Sequence, residues 1–91
     1  LYVDPAEREA YLVERIGVME HARSTAGCLD FALAPDPLAR DRIIVFERWE
    51  SDADLMRFRA GEDGPGPEPG PWPTLRDAAV SKYRISAIEA P

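Results

Sequence analysis

Two runs of β-prone residues, Cys28 to Leu33 and Arg42 to Trp49, stand on either side of Pro35-Asp36-Pro37, a tripeptide that interrupts strand and helix alike. In the first run Leu29, Phe31 and Leu33 alternate with Cys28, Asp30 and Ala32, the period of a strand with one buried face. In the second, Ile43-Ile44-Val45-Phe46 is apolar on both faces. That pattern predicts cover on both sides, by helices on one and by a partner sheet on the other. Strands so close in sequence predict an antiparallel hairpin.

Helix signals flank the hairpin. Asp4-Pro5-Ala6-Glu7 supplies an N-cap, a proline at the first helical position and a Glu three residues after the cap. The helix it opens carries a stripe of Leu12, Ile16 and Met19, widened by Val13, and runs to about Arg23 or Ser24, ahead of Gly27. A second start stands at Ser51-Asp52-Ala53-Asp54, where the Ser51 hydroxyl caps free N–H groups and two carboxylates suit the positive end of the dipole. Leu55, Phe58 and Met56 form the buried side of that helix. Gly61 to Pro73 is too rich in Gly and Pro to continue it and reads as an irregular loop at about 61–73, anchored by Trp72, with a short helical turn near 73–77. Leu1-Tyr2-Val3 and Ala79 to Ile88, the latter led by Val80, Tyr83 and Ile85, predict a first and a last strand. The order strand, helix, strand, strand, helix, strand predicts an α+β fold of the ferredoxin-like, split βαβ kind with an antiparallel sheet.

With 91 residues, residues 1–91 make one domain with a thin core, and association of two copies is a natural way to bury more surface. A homodimer is expected. Seventeen acidic against eleven basic residues give a formal charge of −6, which disfavours nucleic acid and anionic membrane surfaces as partners. No stretch approaches the roughly 20 apolar residues of a spanning helix, and the first residues lack a basic start and an apolar centre. The expected location is the cytoplasm. One Cys and one His do not make a tetrahedral metal site by themselves, and Gly64-Pro65-Gly66 lacks the Lys-Ser/Thr of a phosphate loop. No metal and no other cofactor is expected.

Val3-Asp4-Pro5-Ala6-Glu7-Arg8, Ala22-Arg23, Gly27-Cys28-Leu29-Asp30-Phe31 and above all Phe46-Glu47-Arg48-Trp49-Glu50-Ser51 resemble, in their order and spacing, the antibiotic biosynthesis monooxygenase family. The resemblance implies a dimeric α/β barrel and a cofactor-independent monooxygenase acting on a small quinol-like or polyphenolic aromatic compound. It also implies a role for Trp49, since members of the family place a Trp here beside the pocket, where its indole N–H donates to a substrate oxygen. Glu47, two residues earlier on the same sheet face, is a candidate base or the partner of a helix Arg. Tyr83 is a candidate for proton transfer or a packed aromatic. Phe31, Phe46, Met56 and Phe58 line a pocket or serve as core, and Arg23 orients an anionic group or holds the last carbonyls of its helix.

His21 falls off the Leu12-Ile16-Met19 stripe and reads as solvated, and Cys28 as a small buried hydrophobe. Haem-degrading relatives use a His on the later helix, and none stands between Ser51 and Pro91. The chain departs from better-understood oxygenases at Ile43 and Val45, where they add polar side chains. The alternative is therefore a non-catalytic dimeric ligand-binding or interaction domain of the same fold.

Overall fold

A computed structural model of the chain describes residues 1–62 and 75–91. The Pro/Gly-rich loop beyond Glu62, Trp72, and the turn expected near 73–77 as far as Thr74 lie outside the described residues.

The first helix begins as the sequence predicts. Asp4 is extended and its carboxylate accepts from Ala6 N at 2.9 Å, followed by a 3₁₀ turn at Pro5–Glu7. The α-helical part divides into α1, Arg8–Glu14, and α2, Ile16–Arg23, interrupted at Arg15. The predicted stripe is out of phase. Tyr11 and Ala22 are buried, whereas Val13 and Ile16 are 57% and 48% exposed. The cause lies at Arg8, whose Nη1 donates to the carbonyls of Asp36 at 3.0 Å, Ala39 at 2.9 Å and Arg42 at 3.3 Å. With Arg8 drawn to the connection between the strands, ~100° per residue brings Tyr11, Leu12, Met19 and Ala22 to the same side, with Val13 opposite and Ile16 at the margin.

The hairpin pairs β1, Cys28–Pro35, with β2, Ile43–Trp49, in antiparallel register. Its connection is tied by Asp36, whose carboxylate accepts from Leu38 N at 2.8 Å, Ala39 N at 3.3 Å and Arg42 Nη1 at 2.9 Å. These bonds hold the carboxyl below its ordinary value, the Leu38 amide first and the Arg42 guanidinium next. Phe31 faces Glu47 and Leu33 faces Val45 on one side of the sheet, while Asp30 faces Arg48 and Ala32 faces Phe46 on the other. A bulge between Cys28 and Asp30 leaves Leu29 unpaired and sets Cys28 opposite Trp49.

The expected barrel is not formed, and this corrects the fold class, although the arrangement stays consistent with a split βαβ unit. Among the described residues the sheet is two-stranded and open, flanked by helices, an α+β arrangement. Residues 1–3 reach it only through single bridges, Tyr2 to Arg42 and Tyr2 to Asp77. Pro5, which has no N–H, and the helix it opens leave no room to extend that pairing. Residues 78–91 form no strand, with Val80 at 77% and Tyr83 at 84% exposure. The apolar residues divide between two faces of an extended chain: Val80 and Ile88 share one with Lys82 and Arg84, and Tyr83 and Ile85 stand on the other among Ala79, Ser81 and Ala87, so neither face is broadly apolar.

Val3, Tyr11 and Ile43 make a small core near the start of β2, packed by Leu1, Leu12 and Leu33. The expectation that Ile43 to Phe46 is covered on both sides holds for Ile43 alone, since Ile44 is 40% and Phe46 55% exposed. Among the described residues no helix is long and apolar enough to cross a membrane.

Candidate functional site

At the far end of β2 a second cluster is assembled by the helix that follows. Ser51 is extended, and its hydroxyl accepts from Asp54 N at 3.1 Å, so α3, Asp52–Arg59, follows the strand after a link of two residues, Glu50 and Ser51. Asp52 and Asp54 occupy its first turn and Arg57 and Arg59 its last, in accord with the helix dipole. Leu55 is buried and Phe58, three residues on, lies on the same side and is half-buried. The short link returns that side over Trp49.

Gly27 sets how close α3 comes. Its φ is +88°, and a methyl group built on it would fall on the Asp54 side chain. The same residue accepts from Glu50 N at 2.8 Å, fixing the turn before β1 to the end of β2. Glycine is required here for both conformation and space.

Phe58 is the hub. Its ring centroid lies 5.0 Å from Trp49 in a tilted contact, 6.1 Å from Phe31 edge-on, and 5.7 Å from His21. These separations are those of favourable aromatic pairs. Trp49 Nε1 donates to Glu47 Oε1 at 3.2 Å, so the indole N–H and the carboxylate face each other on the sheet. Arg23 crosses from the end of α2 and donates from Nε to the Phe31 carbonyl at 2.8 Å. Burial pushes the Cys28 thiol up, and the Glu47 and Asp30 charges raise it further against a smaller opposing effect of Arg23. The shift disfavours the thiolate, the reacting form.

Trp49 also lines a groove of about 380 Å³ with Leu29, Arg48, Glu50 and residues 85–88 of the C-terminal segment. That segment is held by Tyr2, which donates from N to the Asp77 carbonyl and accepts from Arg76 N, and by Lys82, which donates to Asp52 at 2.6 Å.

The structure thus brings together Trp49, Glu47, Phe31 and Phe58, with Arg23 tied to the backbone beside them. It places the other three elsewhere: Phe46 is 55% exposed, Met56 is 40% exposed, and Tyr83 is 84% exposed in the C-terminal segment. Phe46 pairs with Ala32, on the sheet face away from Glu47. His21, read as solvated, is half-buried against Phe58. A stripe finds contacts with the sheet and not with a helix more than thirty residues away. Leu29, Arg48 and Glu50 were also overlooked, because the bulge that exposes Leu29 has no mark in the alternation. Among the described residues no group of three or more His, Cys, Asp or Glu converges as a metal-ligand set.

Compared with known proteins, residues 1–63 match the model of the antibiotic biosynthesis monooxygenase family. No curated protein and no solved structure matches the chain significantly.

Proposed function

The chain belongs to the antibiotic biosynthesis monooxygenase family, which it matches over 63 of its 91 residues, and from this premise we propose that it is a cofactor-independent monooxygenase of a small quinol-like or polyphenolic compound. The observation that carries the reading is the Trp49–Glu47 pair, a ring surface and a carboxylate on one sheet face next to an aromatic wall. The substrate ring lies against Trp49. Glu47 takes a proton from it, for which it exchanges the indole N–H for the substrate hydroxyl. The electron-rich anion then reacts with dioxygen. For an anthrone-like CH₂ carbon, one oxygen atom becomes the carbonyl and the other leaves as water with both hydrogens, so no external reductant enters the balance. The exposed Ile44 and Phe46 support self-association through the outer sheet face, which light scattering at micromolar concentration tests; a monomer overturns that part.

A second reading, a non-catalytic ligand-binding or interaction domain, is favoured by the same cluster, because Phe58 already occupies one side of Trp49 and Glu47 its N–H. Oxygen uptake with a panel of quinols and anthrones in metal-free buffer separates the two. Uptake that falls in Trp49→Phe supports the oxygenase. No uptake across the panel, or equal rates in the variant, overturns it.

A further inference from the structure

We infer that the groove beside Trp49 binds an aromatic compound carrying one acidic group, and that Arg48 is the residue that selects the acid. The inference rests on the proposed function only in placing a ring next to Trp49; it does not depend on oxygen chemistry.

The groove has two kinds of surface. Its walls are apolar: Leu29 is pushed out by the bulge and is 46% exposed, and Ile85 and Ile88 stand 58% and 78% exposed on the C-terminal segment. Apolar surface left open beside a Trp is suited to a flat ring, and about 380 Å³ is at the small end of ligand pockets, enough for one or two fused rings. Among the described residues that line it, Arg48 is the one cation. Asp30, directly across the hairpin, accepts from Arg48 Nε at 2.8 Å, which fixes the guanidinium plane. The two Nη groups donate to no described residue. A guanidinium bound through Nε, with no Nη bond among the described residues, keeps the parallel donor pair that fits a carboxylate, and this geometry distinguishes an acid from a neutral isostere.

Charge narrows the ligand further. The chain carries a net charge of −6, so an anion is repelled from most of its surface and gains only where a local cation stands. Glu50, the other charged residue of the groove, opposes a second acidic group and accepts a hydrogen bond from a ring hydroxyl. The ligand class is a hydroxylated aromatic monocarboxylate.

Calorimetric titration of the full chain under nitrogen, with 3-hydroxy-2-naphthoate and its carboxamide as probes, tests the inference. The acid is expected to bind at least about 10-fold more tightly than the amide. In Arg48→Gln that preference disappears, whereas Trp49→Phe weakens both probes alike. Ile88→Glu, a change outside the hairpin, is expected to abolish binding of the acid and guards against misfolding of the Arg48 variant. Equal binding of acid and amide by the unaltered chain, a preference that survives Arg48→Gln, or binding of neither probe overturns the inference. Binding without oxygen uptake leaves the groove standing and overturns the oxygenase reading; uptake without acid preference does the reverse.

Discussion

The indole N–H of Trp49 donates to the carboxylate of Glu47 at 3.2 Å, across a spacing of two residues on one strand. The residue proposed to bind the ring and the candidate base are thereby one hydrogen-bonded unit, and either is perturbed through the other. Glu47→Gln keeps an acceptor for the indole and removes the base. Its thermal stability is expected to stay within about 0.5 kcal/mol of the unaltered protein. If Glu47 takes the substrate proton, oxygen uptake falls by about 10²–10⁴-fold. A rate within a factor of two removes Glu47 from the chemistry.

Cys28 reports on the same carboxylate. Burial and the charges of Glu47 and Asp30 keep its thiol above the ordinary value of 9.0. Alkylation by iodoacetamide at neutral pH is therefore expected to be slower than for a free cysteine, since the thiolate is the reacting form. Glu47→Gln removes the second-largest cause and speeds the reaction; Arg23→Gln removes the opposing charge and slows it. Mass spectrometry of timed samples measures both.

Gly27→Ala is expected to destabilise the fold by about 2–3 kcal/mol, from the positive φ and from displacement of the Asp54 side chain. Asp54 is held by Ser51 and Arg57, so it does not move without loss. In a domain of this size the melting temperature drops by roughly 10 °C or more. A shift within a degree or two contradicts the close approach of α3 to the turn before β1.

Acid sensitivity follows from Asp36. Its carboxyl lies below 3.8 in the folded protein because the Leu38 amide and the Arg42 guanidinium bond the charged form. Between the folded and unfolded values the unfolded chain binds more protons, so the contribution is full above the unfolded value and is lost as pH falls through the folded one. Melting temperatures are expected to level off above about pH 5 and to decline below about pH 4. Asp36→Asn flattens that decline; an unchanged acid limb shows that the turn is not its source.

Local signals were legible wherever the physics is local. Asp4 and Ser51 cap their helices as their residue types indicate, because a hydroxyl or carboxylate beside free N–H groups acts within one turn. The hairpin was readable from the alternation around Phe31 and from the Pro35-Asp36-Pro37 break. Phase and partnership were not. Arg8 turns α1 by seeking three carbonyls some thirty residues away, which no period reveals. The last strand failed because β-prone residues such as Val80 and Tyr83 do not suffice when they divide between two faces. Of the candidate site, Trp49 was named from the family resemblance and Phe58 from helix spacing, while the approach of His21, Leu29 and Arg48 depends on a bulge and on tertiary contacts.

β2 joins two apolar groups that share no residue. Ile43 belongs to the core with Val3 and Tyr11, and Trp49, six residues and about 20 Å along the strand, belongs to the Phe58 cluster. The protein therefore has two thermodynamic compartments strung on one strand. Fluctuations that lift α3 and loosen the ring cluster need not breach the core, and the amides of α3 are expected to exchange with solvent faster than that of Ile43, which is bonded to the Leu1 carbonyl. Ligand occupancy beside Trp49 would then be felt as slower exchange in one compartment alone.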